Sequence, residues 1–163
     1  MSQWTIRPAV KGDEALILEF IRELALYEKM SDQVVATEAL LREWLFEKSI
    51  AEVIFSMEDG VEVGFALYFH NFSTFVGRAG IYLEDLFVKP AYRGRGHGKG
   101  LMRTLARIAL ERDCGRLEWC CLDWNQPSIE FYRSIGAIAM DEWTTYRLAG
   151  DALQKLSEGS DPQ

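Results

Sequence analysis

Between residues 94 and 100 every second residue is glycine, and no other stretch constrains the fold of this chain as strongly. Before it, Tyr82 to Val88 is aromatic and branched enough for a buried strand, and Pro90 removes a backbone donor and ends it. After it, Leu101, Met102, Leu105, Ile108 and Ala109 recur at helical spacing, which predicts a helix starting within the glycines. Backbone N–H groups at such a start, with no β-carbons in front of them, suit phosphate oxygens, and the positive end of the helix dipole helps. Arg93, Arg95 and Lys99 add positive charge to the loop. Two familiar nucleotide loops find no register here. The P-loop needs two glycines five apart followed by Lys-Ser/Thr, and the dinucleotide fingerprint meets Lys99 or Leu101 where its third glycine belongs.

Around this centre the pattern predicts one α/β domain over residues 1–163. Trp4 to Arg7 is a short strand stopped by Pro8. Gly12 or Asp13 opens a helix with an apolar stripe of Ile17, Phe20, Ile21, Leu24 and Tyr27. Thr37 can cap a second helix with Leu40, Leu41, Trp44 and Leu45 on one face. Ala51 to Met57 and Val61 to Phe69 flank the turn Glu58-Asp59-Gly60 as a hairpin, and Asn71 to Gly77 reads as a loop. Arg116 to Leu122 follows the central helix as a strand, so the β-α-β crossover is parallel and right-handed. Asn125 or Gln126 caps a further helix, with Pro127 in its first turn and Gly136 past its end. Ala137 to Leu148 is expected to supply a last strand, and the tail from about residue 158, with Gly-Ser-Asp-Pro from Gly159, to fray.

The chain has 163 residues, three cysteines, two histidines and a net charge of −7. Cys114, Cys120 and Cys121 cannot all pair, so reduced core thiols are the expectation. His70 and His97 show no metal-type spacing with the cysteines, and no metal is expected. The acidic balance argues against non-specific nucleic-acid binding and is compatible with cationic partners. No apolar run approaches the ~20 residues of a membrane span, and the start lacks a signal-like apolar region, so a cytoplasmic protein without a membrane partner is expected.

What the loop does match is Arg93-x-x-Gly96-x-Gly98, which resembles the pyrophosphate-binding signature of the GNAT superfamily of acetyl-coenzyme A-dependent N-acetyltransferases. Leu83-Glu84-Asp85-Leu86-Phe87-Val88, Tyr92-Arg93-Gly94 and Trp124-Asn125-Gln126-Pro127-Ser128-Ile129-Glu130-Phe131-Tyr132 resemble the diamine (spermidine/spermine) and thialysine branch. Ile6-Arg7-Pro8-Ala9, Glu23-Leu24-Ala25 and Tyr27-Glu28 do so as well, and the resemblance covers residues 4 to 148. It implies an α/β fold with a mixed, mostly antiparallel sheet and flanking helices, splayed where the pantetheine arm enters. It also implies acetyl-CoA as cosubstrate, a small-molecule amine as acceptor and a homodimer.

The chemistry is attack of an amine on a thioester. A protonated amine must lose a proton to a base, and the departing thiolate gains from an acid. By resemblance Glu84 accepts the proton, directly or through a water, and Tyr132 protonates the thiolate. The N–H of Leu86 is a candidate to polarise the thioester carbonyl. Coenzyme contacts are implied for Leu86, Phe87, Val88, Arg93, Gly94, Arg95, Gly96, His97, Gly98, Lys99, Asn125, Pro127, Ser128 and Tyr132, and substrate contacts for Tyr27, Glu28, Glu84 and Asp85. Glu84 and Asp85 are consecutive in a strand, so unless a bulge intervenes they face opposite sides of the sheet. One departure stands out: in register with Arg147-Leu148, where the polyamine enzymes carry an acid, this chain has Thr144 and Tyr146, with Asp141 and Glu142 earlier. The acceptor therefore stays open among a diamine or polyamine, a thialysine-like amine and another small primary amine. A non-catalytic acetyl-CoA-binding regulator or a thiol enzyme using Cys120 or Cys121 would be the readings from other classes.

Overall fold

The computed structural model describes residues 3–159, which divide into one compact unit up to Leu122 and another from Asp123 onward. The first unit contains β1 (Trp4–Pro8), α1 (Glu14–Tyr27), α2 (Glu38–Leu41, continued by a π-helical turn over Arg42–Glu47), β2 (Glu52–Glu58), β3 (Val61–Ser73), β4 (Arg78–Val88), α3 (His97–Glu111) and β5 (Leu117–Trp119). Its five strands lie side by side in chain order. All neighbours are antiparallel except β4 and β5, which α3 joins as a parallel pair. This is the mixed, mostly antiparallel sheet that the resemblance implies.

Local chemistry sets the joints. The hairpin between β2 and β3 turns through Asp59 and Gly60, both with positive φ, as its Asp-Gly pair demands. Thr37 caps α2 by accepting from the Leu40 N–H at 3.2 Å. Asp13 precedes α1 but gives its carboxylate to the Val10 N–H and to Arg7, which also reaches Glu62 on β3. The core on the α1 face of the sheet is aromatic: Phe20 meets Phe55 and Phe65 with ring centres 5.9 and 5.1 Å apart. All three are fully buried, and burying each such side chain stabilises the fold by about 1.5–3 kcal/mol.

Three expectations need correction. The loop over Asn71–Gly77 shrinks to residues 74–77, because β3 and β4 keep pairing outward through His70↔Ile81 to Ser73↔Arg78, with Phe69 and Tyr82 in ring contact across the ladder. The strand after α3 pairs only over Leu117–Trp119, so Cys120 and Cys121 fall beyond it. Cys114 is the buried thiol, while Cys120 is exposed and bonds the Tyr82 hydroxyl at 3.0 Å, so the cysteines are not all core residues.

The second unit holds α4 (Gln126–Ser134) and α5 (Gly150–Ser157). Asn125 caps α4, its side-chain oxygen accepting from the Ser128 N–H, and Gly136 follows the helix with a φ of 90°. The strand expected over Ala137–Leu148 is absent among the described residues. Asp141 and Glu142 place two adjacent charges after the apolar run Ala137–Met140, and the chain turns there, with the Trp143 N–H bonded to the Met140 carbonyl. A ladder through this stretch would have to bury one of those charges. Helix α5 was not expected, and most of the tail expected to fray lies outside the described residues.

Candidate active site

The sheet registers place a β-bulge inside β4. Asp85 pairs with Leu67 and Leu83 with Tyr68, so two residues of β3 face three of β4 and Glu84 is the extra one. The bulge shifts the face of everything after it: Asp85 shares its face with Leu67, which packs on the aromatic core under α1, and not with Leu83. Glu84 and Asp85 are thereby released from the strict alternation that would set them on opposite sides. Their proximity shows in the charge balance. Burial, then Glu84, then Glu28 push the Asp85 carboxyl up to about 7. Glu28, just past the end of α1, is itself raised by burial. Tyr27 and Glu28 thus lie at a helix end, with Tyr27 packed against the core.

The bulge also decides which backbone groups are available. Lys89 donates its N–H to the Val63 carbonyl at 2.8 Å, which makes that pair a hydrogen-bonded one. Antiparallel pairs alternate, so Phe87 and Asp85 also face β3, whereas Leu86 and Val88 turn their N–H and C=O groups to the other side. On that side β5 pairs only with Ile81, Tyr82 and Leu83. Among the described residues no strand pairs with that side of β4 from Glu84 onward, and the Leu86 N–H points to it. Phe87 offers its backbone to β3 and its ring to the core, and so takes no part in that edge.

The glycine loop follows directly. Gly94 and Gly96 have φ of 77° and 92°, left-handed values that a side chain would strain, and Gly96 is the residue before α3. The first intrahelical bond runs from the Gly100 N–H to the Gly96 carbonyl. The N–H groups of His97, Gly98 and Lys99 lie ahead of it, at the positive end of a 15-residue helix. Among the loop cations the structure separates roles. Lys99 is exposed at the helix start. The Arg93 guanidinium bends back over the rings of Tyr27 and Phe87, 5.0 and 5.2 Å from their centres, and donates to the Val88 carbonyl. Arg95 pairs with Glu58 at 2.7 Å, and the His97 ring is buried. Arg93, Arg95 and His97 thus shape the loop with their side chains, while both guanidiniums stay exposed. Sequence reasoning missed these three anchors. A signal existed for His97, which stands four residues before Leu101 and eight before Leu105, on the buried face of α3.

In the second unit, the Asn125 cap leaves α4 starting at Gln126, with Pro127 in its first turn and Ser128 and Tyr132 four residues apart.

Residues 18–137 match the model of the acetyltransferase (GNAT) family. A thialysine N-epsilon-acetyltransferase of Sus scrofa is 38% identical over 96% of this chain and 99% of its own. An L-ornithine N5-acetyltransferase of Arabidopsis thaliana is 30% identical over 94% of this chain and 87% of its own. Among solved structures, an integron cassette protein from the mobile metagenome of V. cholerae superposes with a TM-score of 0.79 at 34% identity, over 95% of this chain and 98% of that one. With a bulged strand that β5 leaves unpaired beyond Leu83, a glycine loop at a helix start and this extent of similarity, the chain belongs to the acetyltransferase (GNAT) family and is an acetyl-transferring enzyme.

Proposed function

We propose that this enzyme moves the acetyl group of acetyl-CoA to a primary amine of a small cationic substrate, of the thialysine, ornithine or diamine kind. The observation that carries the acceptor class is the bulge at Glu84, which gathers the acids of β4 beside Glu28 next to an open strand edge. Relatives named for thialysine and L-ornithine support a short amine carrying a second charged group.

In this reading the coenzyme pyrophosphate sits on the N–H groups of His97, Gly98 and Lys99, and the pantetheine arm pairs with the open edge at Leu86 and Val88. The Leu86 N–H polarises the thioester carbonyl, and Tyr132, on the resemblance, protonates the leaving thiolate. Glu84 takes the amine proton, directly or through a water. Asp85, with a carboxyl near 7, holds the ammonium and shares the proton, since a base matched to neutral pH is the efficient one. Tyr27 and Glu28 line the amine entrance. The homodimer and the cytoplasmic setting rest on the resemblance and the composition.

Calorimetry tests the coenzyme half directly. The wild type is expected to bind acetyl-CoA, and Gly96→Glu, folded by its circular dichroism, to lose that binding, because it sets a negative side chain at a left-handed position against the pyrophosphate. Unchanged affinity in the folded variant would remove the reading.

A further inference from the structure

The turn that opens α3 is held from behind by a single carboxylate. Glu58, at the end of β2 and buried, accepts from Arg95 Nη1 through Oε1 at 2.7 Å and bonds His97 Nε2 through Oε2 at 2.7 Å. Arg95 and His97 are the two neighbours of Gly96, so one side chain grips the left-handed turn on both sides. The other ring nitrogen of His97 is equally engaged. Trp4 Nε1 lies 2.6 Å from Nδ1, and Ser56 Oγ lies 2.6 Å from the same atom.

These contacts settle the proton on the ring. Indole N–H is a donor only, so Nδ1 must accept, and the Ser56 hydroxyl must donate to it too. Nε2 then carries the ring proton and donates to Glu58. Hydrogen bonding by His97, and next by Arg95, keeps Glu58 below the usual carboxylate range, so it is ionised and can accept both. The ring is 1% exposed and also touches the edge of Tyr92. Gly100 completes the arrangement: a β-carbon there would overlap the Trp4 ring, so this glycine serves the approach of β1 and not a ligand.

We infer that His97, as a neutral ring protonated on Nε2 and clamped between Glu58, Trp4 and Ser56, is a positioning residue that aims the N–H groups of the α3 start at the coenzyme pyrophosphate. The inference rests on the coenzyme reading above. Backbone donors fixed before the ligand arrives lose less freedom on binding, which is where the clamp contributes. The same carboxylate holds Arg95 at 2.7 Å, so both neighbours of Gly96 are fixed by one side chain.

The test joins a spectroscopic and a binding measurement. The chain has two histidines, so long-range proton–nitrogen spectra of the imidazoles are simple to assign. At pH 7 His97 is expected to show the neutral form with the proton on Nε2. Glu58→Gln, folded by its thermal transition, is expected to bind acetyl-CoA about tenfold more weakly, in line with losing one charge-assisted hydrogen bond. Trp4→Phe keeps the ring but removes the donor, carries the same test if Glu58→Gln does not fold, and is expected to weaken binding about threefold, less than a full hydrogen bond because Ser56 still donates. An imidazolium or an Nδ1-protonated ring, or wild-type affinity in a folded clamp variant, would overturn the inference. Absence of acetyl-CoA binding by the wild type would instead overturn the coenzyme reading, and the inference with it, while the ring spectrum still reports whether the clamp exists.

Discussion

Asp85 stands opposite Leu67 while Leu83 stands opposite Tyr68, which leaves Glu84 without a cross-strand partner and turns the rest of β4 over. The acids of the strand then share a neighbourhood with Glu28, and the Leu86 N–H faces an edge that β5 does not cover. One inserted residue thus supplies both halves of the proposed chemistry, a proton acceptor and a carbonyl-polarising donor.

The raised Asp85 carboxyl has consequences of opposite sign for activity and stability. In the folded chain it holds its proton up to about pH 7, whereas in the unfolded chain it releases it near 4, so the native state binds more protons across that window. Stability contributed by this group is present below about pH 4 and is lost as pH rises toward 7. Asp85→Asn, which cannot ionise, is therefore expected to melt at a higher temperature than the wild type at pH 8, with the gain vanishing at pH 4. Its kcat/KM is expected to fall by about 10²-fold, the lower range for losing acid–base assistance. A melting temperature below that of the wild type at pH 8 would contradict the placement of Asp85.

Much of this was legible beforehand. The helix start in the glycines, the Asp59-Gly60 turn, the Thr37 and Asn125 caps and the parallel crossover follow from local rules, and each appears where those rules put it. The bulge had no such marker, because Glu84 is neither glycine nor proline and its effect is set by register with β3. The role of Glu58 was hidden for a related reason: its partners lie 37 and 39 residues away, beyond any local pattern. The segment from Ala137 to Leu148 shows the reverse error, where a last strand is expected and no pairing follows among the described residues.

Gly100 gives a test of packing with a predictable change of sign. Gly100→Ala is expected to destabilise the chain by about 1–3 kcal/mol, the cost of overpacking, because the β-carbon meets the rigid Trp4 indole. In a Trp4→Ala background the same substitution is expected to stabilise by about 0.5–1 kcal/mol, the ordinary helix preference of Ala over Gly. Denaturant unfolding of the four chains reads both values, and the same sign in both backgrounds would disprove the contact.

Glu28 lies at the proposed amine entrance, where one charge contact is expected to contribute about 0.5–1 kcal/mol. Glu28→Gln is therefore expected to raise KM for a diamine or diamino acid by about threefold, with less effect on a monoamine and little on acetyl-CoA. Added salt should compress the difference. Equal effects on the mono- and dicationic amines would remove Glu28 from the substrate site.

The most direct measurement is thiol release from acetyl-CoA across a panel of amines that holds chain length constant and varies the charge at the far end. The account predicts turnover with thialysine-like, ornithine-like and diamine acceptors, weaker turnover with the matching monoamines, and a reduced preference in Glu28→Gln. Preference for neutral or acidic amines, or an undiminished preference in Glu28→Gln, would contradict it.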